Sequence, residues 1–278
     1  MKDLFDEISN ECSKLTTEKY STSFSSGIMM MGKNMRTPIY NIYGFVRFAD
    51  EIVDSFHKYN KSKLLAEFKN ETFSALKEGI SLNPILNSFQ KTVNIYKIDH
   101  QLIKDFFKSM EMDLKERSYD NHDYEKYIHG SAKVVGLMCL KIFVKGNQDN
   151  YLKLKKSAMS LGSAFQKINF LRDIKDDVEN LGRVYFPDIE INSFNENDKK
   201  IIEKNIEYDF VNALNGIKQL PNDVKGGVYL AHSYYFNLFK KIRSTSSKVI
   251  LQKRIRINNF NKFIIMLKVK FKHYCNLI

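Results

Sequence analysis

Two acidic pairs in this chain share a four-residue spacing. Asp50 and Asp54 lie in Arg47-Phe48-Ala49-Asp50-Glu51-Ile52-Val53-Asp54, and Asp173 and Asp177 lie in Asn169-Phe170-Leu171-Arg172-Asp173-Ile174-Lys175-Asp176-Asp177. On a helix, residues four apart sit one above the other, about 5–6 Å between Cβ atoms, and like charges there repel. Two such pairs, each beside an arginine and inside apolar sequence, call for a counter-charge that the chain does not contain. Divalent metal ions carrying a phosphorylated ligand supply one. Carboxylate oxygens suit Mg²⁺ or Mn²⁺, and Mg²⁺ is usually held by one or two carboxylates plus substrate phosphates.

The neighbouring residues sharpen the expectation. At 100° per residue, Tyr43, Arg47, Asp50 and Asp54 form one narrow stripe, and Gln166, Asn169, Asp173 and Asp177 form a second. Ile42, Phe45, Val46, Phe48, Ile52 and Val53 surround the first; Phe165, Ile168, Phe170, Leu171 and Ile174 surround the second. A polar line on a buried helix is costly unless it faces a partner or a water-filled cavity. One such pair alone reads as a solvated helix face. Two with these companions read as facing walls of a metal–phosphate site.

The elements that position these stripes are helical almost throughout. Helices are expected near 22–32, 38–57, 61–78, 84–97, 99–116, 123–145, 148–181, 197–219, 223–243 and 258–275. Thr37-Pro38 and Asn83-Pro84 each resemble an N-cap followed by proline at the first helical position. Residues 249–257 are ambiguous between helix and strand. The longest irregular piece, 182–197, follows the second acidic stripe, and its Gly182-Arg183-Val184-Tyr185-Phe186-Pro187 is placed to fold over the phosphate site. Connections are short and no repeat is present. One all-α domain spanning 1–278 around a central cavity is the economical architecture.

Composition narrows the function classes. The chain has 278 residues, 43% hydrophobic and 27% charged, which fits a globular protein. Cys12, Cys139 and Cys275 are far apart, so neither a disulfide framework nor a zinc site is indicated, as in a reducing compartment. The six histidines do not cluster at ligand spacing. No Ser-His-Asp or Cys-His arrangement and no glycine-rich phosphate loop is visible. The N-terminus lacks the apolar stretch of a signal peptide. Residues 224–278 contain no Asp or Glu, whereas Lys and Arg recur through them, so the formal +12 charge resides in that last fifth. A basic segment carrying Phe260, Phe263, Ile264, Ile265, Met266 and Leu267 suits an anionic membrane surface. The sign also suits nucleic acid, but no recognition motif accompanies it.

Taken in order, Tyr20-Ser21-Thr22-Ser23-Phe24, the stretch from Tyr43 to Asp54, Met110-Glu111-Met112-Asp113-Leu114, Tyr127-Ile128-His129-Gly130-Ser131-Ala132-Lys133-Val134-Val135-Gly136, Gln166 through Asp177 with Arg183-Val184-Tyr185-Phe186-Pro187, and Tyr235-Phe236-Asn237-Leu238-Phe239 resemble the squalene/phytoene synthase family over nearly the whole chain. The resemblance implies an all-α isoprenoid synthase helical bundle. It also implies head-to-head condensation of two geranylgeranyl diphosphates, through prephytoene diphosphate, to phytoene with Mg²⁺ or Mn²⁺ and without NADPH. A squalene or dehydrosqualene synthase acting on farnesyl diphosphate is the alternative, and a non-catalytic helical assembly module is an alternative of another class. By position, Asp50, Asp54, Asp173 and Asp177 are implied as the catalytic metal-binding carboxylates, with Asn169 a further ligand. Ser21, Thr22, Ser23, Tyr43, Arg47, Tyr127, Gln166, Asn169, Arg172 and Tyr235 are implied as substrate contacts. Thr22 stands where many relatives carry a basic residue, and Glu51 where Asp is common. Phe24, Tyr127 and Phe170 are candidate walls for a carbocation, Ile28 for the pocket floor, and Gly130, Ser131, Ala132 and Gly136 for the prenyl-bearing helix. Arg256 or Lys262 is an alternative claimant for the diphosphates. The expected setting is cytoplasmic, peripheral on the inner face of an anionic membrane, as a monomer or weak homodimer and without nucleic acid.

Overall fold

The computed structural model describes residues 1–115, 118–187, 189 and 193–278. Among these the β structure is limited to an isolated bridge between Ser118 and Val184; the rest is helices and their connections.

The two helices that carry the acidic stripes are α3 (Lys33–Ser55) and α9 (Gln148–Asp176). α3 begins behind Gly32, earlier than the Thr37-Pro38 signal predicts, and holds Pro38 inside it. Met35 and Ile39 are both buried and one turn apart, so packing draws the first turn into the helix. Pro38 then forfeits only the bond its own N–H would have made one turn back. The Asn83-Pro84 signal is realised: the Asn83 side chain accepts from the Ile85 N–H at 3.1 Å and opens α5 (Pro84–Tyr96).

Apolar periodicity did not predict α1 (Lys2–Tyr20), because its buried face is polar: Asp6, Ser9, Ser13 and Thr17 point inward. Leu4, Ile8 and Leu15 point to solvent. α5 satisfies the inward groups. Ser13 and Ser88 hydroxyls meet at 2.7 Å, and Asn87 Nδ2 donates to Asp6 at 2.9 Å and to Ser9 at 3.1 Å. Gly44 of α3 lets α1 lie close, since a Cβ there would stand 2.9 Å from Ser13 Oγ.

Two apolar clusters flank the middle of the bundle. One gathers α3, α4 (Lys61–Glu78), α5 and α6 (His100–Lys115) around Phe45, Phe89, Phe106 and Phe107. The other gathers α9, α10 (Glu196–Ile217) and α11 (Asn222–Arg243) around Ile168, Leu171, Ile206, Phe210 and Phe239. α8 (Val134–Phe143) lies against α9 backbone to backbone. A Cβ on Gly162 would fall 2.5 Å from the Ala132 carbonyl, and one on Gly136 would fall 2.8 Å from that of Ala158.

Two of the expected long helices contain a π-helical turn. Between α7 (Asn121–Ile128) and α8 it covers His129–Lys133, and after α9 it covers Asp177–Leu181, ending at Gly182 in the left-handed region with φ 65°. The second turn re-aims the chain just after the acidic stripe. Near residues 249–257 no strand forms; α2 (Thr22–Met29) is the short helix ahead of α3, and α12 (Ser247–Ile250) gives way to a turn and irregular chain before α13 (Asn259–Tyr274). α13 packs on α11 through Val269, Ile265 and Met266 against Leu230 and Tyr234. Among the described residues, no helix is long and apolar enough to cross a membrane.

Candidate functional site: an apolar cavity with an acidic and basic mouth

A cavity of about 500 Å³ runs between α2, α3, α8, α9, α10 and α11. α9 forms its spine. Leu154, Ser157, Ala158, Leu161, Gly162, Phe165, Gln166, Asn169 and Arg172 line it in steps of three and four, one continuous helix face. The face changes character along its length, apolar from Leu154 to Phe165 and polar from Gln166 onward. Ile39, Ile42 and Val46 of α3, Val135, Leu140 and Phe143 of α8, Ile217 at the end of α10 and Leu220 just after it complete the apolar walls. Ile28 lines the cavity and is buried. Ser131, Ala132 and Gly136 also line it; Gly130 instead packs on Asp105 and Ser109 of α6.

Tyr43, Arg47 and Asp50 from α3 face Gln166, Asn169 and Arg172 from α9 at the polar end, with Tyr235 of α11 beside them. The Tyr235 hydroxyl donates to Asn169 Oδ1 at 3.2 Å, and its ring stacks on Phe165 at 3.9 Å. Phe24 joins this aromatic group, 5.7 Å from Tyr43 and 6.0 Å from Tyr235. Burial pushes the Tyr43 phenol up to about 12, so it remains an O–H donor. Arg47 is paired with Glu51 and lies 4.3 Å over the Tyr20 ring, with its Nε buried and unpartnered.

The carboxylates sit at the edge of this mouth in two tied groups. Asp173 receives Arg172 at 2.5 Å and Arg254 at 2.7 Å. Asp54 receives Arg183 at 2.9 Å, and the same guanidinium reaches the Asp113 carboxylate at 3.5 Å and its backbone carbonyl at 2.9 Å. Asp113 also accepts from the hydroxyls of Tyr127 at 2.8 Å and Tyr185 at 3.2 Å. Asp50 is pushed up to about 8, first by burial and then by the Asp54 charge. Asp177 is likewise pushed up to about 8 by burial, then by Asp173 and by Asp54 from the other helix. The α3 and α9 pairs therefore feel one another across the mouth. Among the described residues, no three His, Cys, Asp or Glu side chains converge into a ready metal cage.

Several sequence-derived candidates fall elsewhere. Ser21 lines the cavity and caps α2, accepting from the Phe24 N–H at 3.1 Å. Thr22 and Ser23 are off the cavity wall; Thr22 is exposed, and its hydroxyl accepts from Lys262 Nζ at 3.2 Å. Tyr127 and Phe170 are also off the wall. They are buried in an aromatic group with Tyr185, which stacks on Phe170 at 4.1 Å. Asp113 had no role assigned from sequence; Arg183 was expected only as part of the stretch folding over the phosphate site, and Arg254 only as part of the basic C-terminal segment. The signal of Asp113 and Arg183 was a charged residue inside an apolar or aromatic motif, which becomes a site only when distant segments meet. The basic C-terminal segment is divided. Arg254 goes to Asp173, and Lys262 is lowered by burial and by the nearby charges of Arg172 and Arg256. Lys268, Lys270 and Lys272 stay at the surface.

A helical bundle closed around an apolar cavity, with facing acidic helix stripes at one end, is an isoprenoid synthase fold. The family described as squalene/phytoene synthase matches residues 17–205, and this chain belongs to it. A phytoene synthase of Arthrospira platensis is 24% identical over 270 residues, covering 88% of this chain and 87% of that protein. Chloroplastic phytoene synthase 1 of Solanum lycopersicum is 30% identical over 192 residues, covering 68% of this chain and 46% of that protein, so the chain spans about half the length of such plant relatives. Among solved structures, a dehydrosqualene synthase superposes with a TM-score of 0.81 at 17% identity, covering 98% of each chain. Squalene synthase HpnC from Alicyclobacillus acidocaldarius superposes with a TM-score of 0.74 at 18% identity, covering 86% of this chain and 94% of that one.

Proposed function

We propose that this protein joins two geranylgeranyl diphosphates head to head, through prephytoene diphosphate, to phytoene, releasing both diphosphates and needing no reductant. The observation that carries the chain length is the spine of the cavity. From Arg172 to Leu154 it runs five turns of α9, roughly 27 Å at 1.5 Å per residue. An isoprene unit extends about 5 Å when its C–C bonds are near 1.5 Å. Four units and a diphosphate occupy this length, whereas three leave the turn around Leu154 empty.

The residues fit the chemistry asked of them. Asp50 and Asp177 are carboxylates short of counter-charge, and the two facing pairs leave most coordination positions to phosphate oxygen and water, as Mg²⁺ or Mn²⁺ prefers. We assign Asp50, Asp54, Asp173 and Asp177, with Asn169, to holding such ions. When bound, the ions neutralise the charge growing on the departing diphosphate. Arg47, Arg172, Arg254 and Lys262 supply fixed positive charge around the same volume, and Tyr43 and Tyr235 supply hydroxyl donors. Phe24, Phe165 and Tyr235 present ring faces to an allylic cation. The apolar walls below them exclude the water that would quench it. The hydrocarbon tails of substrate and product favour exchange at a membrane, and we place the protein there as a peripheral, cytoplasmic-face enzyme.

Incubating the purified protein with farnesyl or geranylgeranyl diphosphate and Mg²⁺, with and without NADPH, tests the assignment. A C40 hydrocarbon from the longer substrate, independent of NADPH, is expected. A C30 hydrocarbon as the main product overturns it in favour of a squalene-type or dehydrosqualene-type activity.

A further inference from the structure

α13 carries two apolar faces on opposite sides, and α11 covers one of them. Lys262, Ile265, Met266, Val269 and His273 turn inward. Turning 100° per residue, Phe260, Phe263, Ile264, Leu267, Phe271 and Tyr274 form an opposing stripe roughly 100° wide, the width of a core-facing stripe. Phe263, Leu267 and Phe271 on this stripe are 53%, 48% and 65% exposed, and Tyr274 is 88% exposed. Lys268 and Lys270 flank the stripe, one on each side, with Lys272 just beyond Lys268. None of the three lysines has an acidic partner among the described residues.

We propose that this outward face of α13 is a docking surface for an anionic lipid bilayer. An aromatic stripe bordered by lysines is the pattern of a helix lying in the bilayer interface: the rings enter the acyl boundary while the lysine stems run along it and keep their charges at the headgroups. The charges favour lipid over a second copy of this chain. A self-complementary contact would bring lysine-edged stripes together, and residues 224–278 offer no acidic residue to oppose them. The helix also links surface to site. Lys262, adjacent to Phe263, reaches Thr22 beside the cavity-lining Ser21. Lys262 lies on the inward face, so α13 touches the edge of the site on one side and carries the bilayer-facing stripe on the other. The purpose of the surface rests on the proposed use of prenyl substrates; its geometry does not.

The test is co-sedimentation of the full chain with vesicles of phosphatidylcholine alone or with phosphatidylglycerol, at low and high salt and without substrate. The wild type is expected to bind the anionic vesicles and to be released by salt. F263S/F271S removes two exposed rings, and its affinity should fall at least about tenfold with an unchanged thermal melt. K268Q/K270Q should fall roughly 25-fold on anionic vesicles, about fivefold per lysine. Both variants should keep wild-type turnover in detergent micelles. No binding by the wild type, or wild-type binding by F263S/F271S, overturns the proposal. So does a wild-type dimer in light scattering that F263S/F271S dissociates, since the face would then be a protein interface. Because binding is read without substrate, its failure leaves the synthase assignment standing, and a failed synthase assay leaves the binding result standing.

Discussion

Arg183→Met is the most revealing single change. Arg183 is 6% exposed and Asp113 is 2% exposed in its side chain, so the pair is shielded from solvent. Burial, outweighing Arg183 and helped by the Asp54 charge, still raises the Asp113 carboxyl from the ordinary 3.8 to about 7. A carboxyl raised in the folded state binds its proton more tightly there than when unfolded, so its contribution to stability falls as pH rises from about 4 to about 7 and then levels off. Without Arg183 the folded-state value moves higher, and the fall continues past pH 7 where the wild type is flat. Two costs follow. The lost hydrogen bonds to Asp54 and to the Asp113 carbonyl remove about 2 kcal/mol at any pH. The stranded carboxylate adds about 1.4 kcal/mol per pH unit above 7. The variant should therefore be less stable than wild type by about 2 kcal/mol near pH 6.5 and about 4 kcal/mol near pH 8.5. Urea unfolding followed by circular dichroism at both pH values measures this. R183M/D113N should keep the constant loss and lose the part of the slope due to Asp113, leaving that of Asp177, which Arg183 also lowers. A deficit that is equal at both pH values, or a double-variant slope as steep as that of the single variant, refutes the claim that Arg183 neutralises Asp113.

Three further outcomes follow from the same geometry. Asp50→Asn or Asp173→Asn should lower turnover at saturating Mg²⁺ by at least about a hundredfold while the helical circular dichroism spectrum stays that of wild type; near-normal product formation in either variant would remove these residues from the metal site. Leu154→Phe fills the apolar end of the cavity, so conversion of the C20 diphosphate should drop about tenfold or more relative to the C15 diphosphate, read as the ratio of hydrocarbons in a competition assay. His232 is buried between Tyr229 and Phe236, with Phe210 edge-on, and burial lowers it from the ordinary 6.5 to about 4. The unfolded chain therefore takes up that proton first, stability falls as pH drops from 6.5 toward 4 by up to about 3 kcal/mol, and His232→Phe should remove that part of the acid slope in denaturant titrations.

Local rules made the acidic machinery legible. Asp50 and Asp54, and Asp173 and Asp177, are bound to one helix face each by their spacing, and the arginine, asparagine and glutamine beside them fall on the same faces whatever surrounds the helix. The cap at Asn83 and the helical character of α4, α9 and α11 are equally local. Where a helix is held by its tertiary partner, local rules misled. α1 buries serine, threonine and aspartate because α5 offers Asn87 and Ser88, so its apolar residues mark the outer face. Pro38 sits inside α3 because Met35 and Ile39 are packed.

The sequence by itself determined which side chains share a helix face, and with that the helical class and the acidic stripes. Only the tertiary structure decided which faces meet. Arg183 reaches Asp54 across 129 residues of sequence and Asp113 across 70, a contact set by how the chain after the π-helical turn at Asp177–Leu181 returns to α3 and α6. The close approach of α8 and the π-helical turn before it to α9 depends on Gly136 and Gly162 lacking a Cβ, and the division of the basic segment follows from the seating of α13 on α11. Periodicity repeats within a few residues and is written locally. The meeting of helices depends on the volumes of side chains far apart in sequence, which no single stretch records.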